Sequence, residues 1–164
     1  MKLGVSSCLI GTPCRYDGVS SSDKFVIGTL QKYFDTVAYC PETIIWGSPR
    51  TAVRQVQSES GDLRIMTSTK NPIDVTAELE EISIKCANKI QDDDLCGFIL
   101  KSSSPTCGLE RVKVYKPFNA PSVKQGVGVF AKQIKEKYPY LPVEEEGRLI
   151  DAWLRENFLM QIFA

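Results

Sequence analysis

Short apolar segments of two kinds alternate along the chain, and their spacing predicts strands and helices in turn. Three patterns at helical spacing run from Phe25 to Phe34, from Val75 to Ile90 and from Val127 to Tyr138. Around them lie short β-compatible runs bounded by Gly, Pro, Ser or Asp, which predict strands at Lys2 to Ser7, Thr36 to Tyr39, Leu63 to Met66, Leu95 to Leu100 and Val112 to Tyr115. This alternation predicts an α/β fold, a single domain whose mainly parallel sheet is flanked by helices.

Two stretches depart from this alternation. The region from Ile44 to Gly61 fits neither pattern. Near the end of the chain, Glu144 to Gly147 reads as a charged break, and the apolar residues that follow it from Ile150 to Ile162 have helical spacing. We therefore expect a domain at 1–143 and a C-terminal helical extension at 144–164.

The C-terminal helix has an apolar face that needs a partner surface. Either it docks on the core of its own domain, or it leads into a partner or a further domain. A self-complementary apolar face also favours a symmetric homodimer.

Charge and histidine content exclude several classes of function. Twenty Lys and Arg balance twenty Asp and Glu in the 164 residues, which removes the positive excess that drives sequence-independent binding of nucleic acid. The chain contains no histidine, which excludes Ser–His and Cys–His catalysis and every metal site with imidazole ligands. Because the net charge is zero, any contact with RNA must be made by a local group of basic residues.

Six cysteines remain to be explained, and the compartment bears on their role. The apolar run after Met1 is too short for a signal peptide, and no stretch approaches the 18 apolar residues of a membrane span. We expect a cytoplasmic protein without a membrane partner. Thiols are kept reduced there, so those that are not packing residues are expected to bind metal or to act in catalysis.

Three cysteines fall at the predicted ends of strands. Cys8 ends the first strand, Cys40 ends the second, and Cys107 lies in the loop after the strand from Leu95 to Leu100. The ligand crevice of an open parallel sheet lies outside the carboxyl ends of its strands, so these sulfur atoms are expected to converge. Cys86 and Cys96 belong to apolar patterns and are expected in the core. Cys14, in a turn-rich loop, is either a fourth ligand or a bystander, and the absence of a strand to fix its direction favours the bystander.

Thiolates without imidazole suit zinc, copper(I) or an iron–sulfur cluster. A closed structural zinc site wants a fourth ligand, whereas a four-iron cluster on three cysteines has one iron open to bind a substrate atom. A structural zinc protein that recruits Cys14 and a thiol-based sulfur-transfer protein that uses Cys8 or Cys107 as nucleophile remain alternatives.

Several ordered motifs between Leu3 and about Ile134 resemble the thiouracil desulfidase family. They are Ser6 to Gly11 with Arg15 to Gly18, then Cys40-Pro41-Glu42, Pro49-Arg50, Ile99 to Lys101 leading into Ser104 to Gly108, and Gly126 to Gly128. The resemblance implies an enzyme that removes sulfur from thiolated pyrimidines, such as 2- or 4-thiouracil and 4-thiouridine, and releases sulfide without a redox change. It also implies a [4Fe–4S] cluster on Cys8, Cys40 and Cys107, with one iron not bound by protein.

The resemblance further implies roles for residues around that cluster. Glu42 would be the acid/base carboxylate and Ser104 the assisting hydroxyl. Arg15, Tyr16, Arg50 and Lys101 are the candidates for substrate binding, since a cation orients an anionic or phosphate-bearing substrate. The tail resembles the junction at which longer relatives continue into a helical second domain and act on 4-thiouridine in tRNA, so tRNA is a partner only where that domain is present.

Overall fold

A computed structural model describes all residues from Met1 to Ala164, and its centre is a four-stranded parallel sheet. Sheet A has the order β2-β1-β5-β8, with β1 at Lys2–Ser6, β2 at Asp35–Tyr39, β5 at Leu95–Leu100 and β8 at Val143–Glu145. All three of its strand pairings are parallel. The predicted α/β class and the first, second and fourth predicted strands are confirmed.

Both faces of sheet A are buried, as expected of a parallel sheet. On one face, Leu3 and Val5 of β1 pack with Ile99 of β5. On the other, Phe98 and Leu100 of β5 pack with residues of two helices, α3 at Thr76–Asp93 and α4 at Val129–Lys137. Successive side chains of each strand lie on opposite faces of the sheet, so they pack into two separate cores.

A second sheet, absent from the sequence-based prediction, carries the remaining four strands. Sheet B has the order β4-β3-β6-β7, with β3 at Val53–Gln57, β4 at Leu63–Thr67, β6 at Val112–Tyr115 and β7 at Val123–Gly126. Its β3–β6 pairing is parallel and the other two are antiparallel. The strands predicted near Leu63 and Val112 therefore exist but belong to this mixed sheet.

The helices follow the sequence pattern with local differences. The expected helix from Phe25 to Phe34 is interrupted: α1 spans Lys24–Gly28, and a 3-10 turn follows at Leu30–Lys32. Gly28 has poor helix propensity, which accounts for the end of α1. Just before α3, the Asp74 carboxylate accepts a 2.9 Å bond from the N–H of Thr76, the first residue of the helix.

The region that fits no pattern, Ile44 to Gly61, contains the end of a short helix and a strand. The helix α2 spans Pro41–Trp46, and β3 begins at Val53 after a cis peptide bond between Ser48 and Pro49. This segment carries Arg50 back toward the carboxyl end of sheet A.

The charged run from Glu144 to Gly147 is not a break, and that prediction is wrong. Glu144 and Glu145 lie in β8 and are 9% and 5% exposed. Glu145 Oε1 accepts bonds from the N–H groups of Leu109 and Glu110 at 2.6 and 3.2 Å. The carboxylate is buried because it satisfies backbone donors, and burial raises its pKa.

The last helix, α5 at Ala152–Phe163, packs on the core of the same domain. Phe158 and Ile162 belong to the apolar cluster that contains Leu3, Val5 and Ile99. Of the two dockings considered for this helix, the structure shows the first. No helix in the structure is both long and apolar enough to cross a membrane.

Candidate active site

A cavity of about 340 Å³ opens at the carboxyl end of sheet A. It is bounded by the residues that follow β1, β2 and β5 and, from the side of sheet B, by Arg50, Ala52 and Val53. Every site residue predicted from the sequence lines it: Cys8, Arg15, Tyr16, Cys40, Glu42, Arg50, Lys101, Ser104 and Cys107.

The fold brings the three strand-end cysteines together for the expected reason. Cys8 lies in a 3-10 turn directly after β1, Cys40 lies between β2 and α2, and Cys107 lies in the loop after β5. The three strands are neighbours in sheet A, so their carboxyl ends meet at one place.

Cys14 also belongs to this cavity, contrary to the argument that nothing fixes its direction. It is 4% exposed, and it lines the cavity together with Cys8 and Cys40. Its carbonyl oxygen accepts bonds from Arg50 Nη1 at 2.7 Å and from Thr43 Oγ1 at 3.1 Å. The hydrogen bonds from Arg50 and Thr43 therefore fix the orientation of Cys14, although no strand precedes it.

Three thiols of this cavity, those of Cys14, Cys40 and Cys107, have a pKa raised above the ordinary value. A hydrogen bond from Cys40 lowers the pKa of Cys14, but the bond to Cys8 and burial outweigh it and raise that pKa to about 11. The bond to Cys14, followed by burial, raises the pKa of Cys40, and burial raises that of Cys107. A soft metal must therefore displace protons when it binds these sulfur atoms.

The loop that carries Cys107 is fixed by its own hydrogen bonds. Ser104 Oγ accepts from the N–H groups of Thr106 and Cys107 at 3.2 and 3.0 Å. Gly128 packs against this loop, and a Cβ there would lie 2.4 Å from the Thr106 carbonyl oxygen. Ser104 therefore shapes the turn through its oxygen.

Glu42 is a half-buried carboxylate, and both of its oxygens accept hydrogen bonds. Oε2 accepts from Arg50 Nε at 3.0 Å and from Arg50 Nη2 at 2.8 Å. Oε1 accepts from Thr106 Oγ1 at 2.5 Å. The Glu42 and Arg50 side chains are 12% and 6% exposed, so this ion pair is largely shielded from solvent.

The predicted cationic residues differ in whether their charged groups already bind other groups of the protein. Arg50 is committed to Glu42 and to backbone carbonyl groups, and Lys101 Nζ lies 2.5 Å from Glu146 Oε1. Arg15 is 3.9 Å from Asp17, with a side chain that is 36% exposed. Arg15 and the neighbouring exposed Tyr16 are thus better placed than Arg50 to meet a ligand at the cavity mouth.

The thiols that line the cavity are ligands that soft metals and iron–sulfur clusters prefer. A zinc ion binds each thiolate at about 2.3 Å, so its ligands must converge on one point. No three Cys, Asp or Glu side chains in the structure do so, yet four thiols line one cavity. A four-iron cluster binds its cysteines on different iron atoms, so its ligands need not meet at one point.

Sequence reasoning missed three hydroxyl residues of the site. Thr43 Oγ1 lies 3.0 Å from Cys40 Sγ, Ser6 Oγ accepts from the Lys101 N–H at 3.0 Å, and Thr106 contacts Glu42. For Thr106 a signal existed, since it lies between Ser104 and Cys107. Ser6 acquires its partner only through the fold, because Lys101 is distant from it in the sequence.

Comparisons with known proteins bear on the fold and the family of this chain. A search of curated proteins finds no match. Among solved structures, the chain is similar to a protein described as the [4Fe-4S]-dependent thiouracil desulfidase TudS, at 26% sequence identity and a TM-score of 0.69, over 95% of this chain and 97% of that one. The family described as 2-thiouracil desulfurase matches residues 3–146. This chain belongs to the 2-thiouracil desulfurase family.

Proposed function

We propose that this protein is an iron–sulfur-dependent desulfidase that hydrolyses the C–S bond of thiolated pyrimidines and releases sulfide. The observation that carries the proposal is one cavity that combines the thiols of Cys8, Cys40 and Cys107 with the half-buried carboxylate of Glu42. Thiols at the carboxyl ends of three adjacent strands supply the ligands, and the carboxylate supplies an acid/base group.

Cys8, Cys40 and Cys107 would hold a [4Fe–4S] cluster with one iron not bound by protein. When bound, such a cluster supplies a soft Lewis acid for the thiocarbonyl sulfur of the substrate. The role of the polypeptide is to bind the pyrimidine, to orient it and to manage the protons.

The hydrogen bonds of Glu42 indicate which of its oxygens handles a proton. A carboxylate offers about two lone pairs on each oxygen. Both Arg50 bonds fall on Oε2, whereas Oε1 accepts only the Thr106 bond. Oε1 therefore retains the lone pair that would accept a proton from water as the water oxygen bonds to the ring carbon.

The reaction balances as a hydrolysis. The water oxygen replaces sulfur on the ring carbon, a C–O bond forms and the C–S bond breaks. The two water hydrogens end on sulfide or on buffer, and neither substrate nor protein changes oxidation state. Ser104 donates its hydroxyl hydrogen to the pyrimidine and so holds the ring during this exchange.

The substrate is proposed to be a small molecule in the cytoplasm. A volume of about 340 Å³ lies within the usual range of small-ligand pockets. Arg15 and Tyr16 at the mouth would contact the ring or an attached anionic group, with Lys101 beside them. The balanced charge of the chain argues against tRNA as its substrate.

Anaerobic reconstitution followed by assay tests the proposal. We expect the protein to bind about four irons, to absorb near 400 nm, and to convert 4-thiouracil to uracil with one sulfide per turnover. Cys8→Ser, Cys40→Ser and Cys107→Ser should lose iron and activity together, because each removes a ligand. Cys86→Ser and Cys96→Ser, which lie outside the cavity, are the matched controls.

Three results would count against this function. Full iron content in Cys40→Ser would remove the strand-end site. Activity in the metal-free protein would favour a thiol nucleophile, and one stoichiometric zinc in a colourless protein would favour a structural site. Thiolated tRNA, assayed in parallel, is expected to be a poor substrate.

A further inference from the structure

We propose that Thr106 is a positioning residue that, with Arg50, fixes the Glu42 carboxylate for proton transfer. The inference rests on the proposed function, because it concerns the orientation of the acid/base group named there. Thr106 is 1% exposed, and its Oγ1 lies 2.5 Å from Glu42 Oε1. A buried hydroxyl needs a partner, and the structure gives it this one.

The direction of this bond is fixed by chemistry. An ionised carboxylate only accepts hydrogen bonds, so Thr106 donates its single hydroxyl hydrogen to Oε1. Arg50 approaches Oε2 with two N–H groups from the other side. Partners on both oxygens set the plane of the carboxylate and its rotation about the last side-chain bond. The remaining lone pair of Oε1 is then held in one direction.

Thr106 is itself held by its backbone. Its carbonyl oxygen accepts from the N–H groups of Phe130 and Ala131 at 2.8 and 3.3 Å, and its N–H donates to Ser104 Oγ. Gly128 touches that carbonyl group, as only a residue without Cβ can at this distance. The hydroxyl therefore reaches Glu42 from a fixed position.

Thr106 offers a cleaner test of this positioning than Arg50. Arg50 also donates to the carbonyl groups of Cys14 and Gly47, so replacing it disturbs the segment around Cys14 as well. The Thr106 side chain makes only the bond to Glu42 among the side-chain hydrogen bonds of the structure. Valine has the same shape as threonine without the hydroxyl, and serine keeps the hydroxyl without the methyl group.

In the reconstituted enzyme, Thr106→Val should lower kcat by about tenfold to a hundredfold, the cost typical of a misplaced catalytic group or a lost supporting bond. KM, iron content and the 400 nm absorption should stay unchanged, because neither the substrate contacts nor the ligands are altered. Thr106→Ser should recover most of the kcat. An unchanged kcat in Thr106→Val would overturn the proposal. Loss of iron from this variant would also overturn it, because it would show that Thr106 supports the Cys107 loop instead.

A double-mutant cycle with Glu42→Gln separates this inference from the proposed function. Glu42→Gln alone should abolish turnover, and adding Thr106→Val should then change nothing further. If Glu42→Gln retains full turnover, the acid/base assignment fails. If it loses turnover while Thr106→Val does not, only the positioning role fails.

The metal-free proteins give a readout that does not depend on activity. Thr106→Val should lower the Tm of the parent chain by more than it lowers that of Glu42→Gln, since the bond to a charged acceptor is stronger than one to an amide. Equal shifts in both backgrounds would show that Thr106 and Glu42 are not coupled and would overturn the proposal.

Discussion

At the scale of single residues, the four thiols of the cavity are positioned in two ways. Three follow the ends of strands, and the fourth is positioned by hydrogen bonds. Cys8, Cys40 and Cys107 follow β1, β2 and β5, and this order is visible in the sequence. Cys14 follows no strand, and its carbonyl group is held by Arg50 and Thr43 instead. Its presence in the cavity depends on contacts between residues some thirty positions apart, which no local pattern contains.

The position of Cys14 gives the first prediction. Cys14→Ala should retain the iron content of the parent protein, because three ligands suffice for the proposed cluster and the bonds that fix this segment come from the backbone carbonyl group, which the substitution keeps. Iron and sulfide analysis after anaerobic reconstitution measures this, with Cys40→Ser as the variant that loses iron. Iron loss from Cys14→Ala as well would mean four cysteine ligands and no open iron.

The same distinction explains which site residues the sequence could supply. Glu42 is adjacent to Cys40, and Ser104 is close to Cys107, so motifs locate both. Arg50 also makes a contact that the sequence did not predict, because its guanidinium pairs with Glu42. Charge and motif identify a functional arginine but not the partner it finds in the fold.

At the scale of elements, α5 shows why an apolar helical pattern alone does not decide what the helix packs against. Phe158 and Ile162 are 3% and 6% exposed and pack with Leu3 and Val5, whereas Trp153 and Met160 are 70% and 66% exposed. The helix is apolar on more than one side, so the sequence left its partner open. The structure shows that one face completes the core beside sheet A.

This packing predicts a large difference between two neighbouring substitutions. Phe158→Ala should lower the free energy of unfolding by about 3–5 kcal/mol, because it leaves a cavity among buried side chains. Met160→Ala, on the exposed side of the same helix, should stay within about 0.5 kcal/mol of the parent. Urea denaturation of the three proteins measures both. Similar losses in the two variants would mean that the whole of α5 is covered in solution.

Elements with a clear period or apolar run were predictable, and those defined by distant partners were not. The strand β5 is an apolar run buried on both faces, and its sequence alone predicts a strand. The strand β8 consists of Val143 and two glutamates, and it exists because β5 offers it an edge and Leu109 and Glu110 offer donors to Glu145. Such a strand has no apolar signal of its own.

At the scale of the whole molecule, the cavity depends on both sheets. Sheet A supplies the three strand ends, while sheet B contributes one wall and a buried connection to the Cys107 loop. That connection is the side chain of Gln55 in β3, which is fully buried. Its Nε2 donates to the carbonyl group of Pro105 at 3.1 Å and to that of Val127 at 2.7 Å. A single side chain thus ties sheet B to the two segments that hold Thr106 and Cys107.

The last prediction tests this connection between the sheets. Gln55→Leu keeps the approximate size of the side chain but leaves the Pro105 and Val127 carbonyl groups without their donor, which should cost about 1–3 kcal/mol of unfolding free energy. Because Pro105 lies two residues before Cys107, the loosened loop should also lower the iron retained after gel filtration. Gln125→Leu, on the exposed surface of β7, is the matched control and should change neither quantity. Gln55→Leu protein that is destabilised yet retains all of its iron would show that sheet B supports the fold without holding the ligand loop, whereas an unchanged stability would show that water replaces the lost donor.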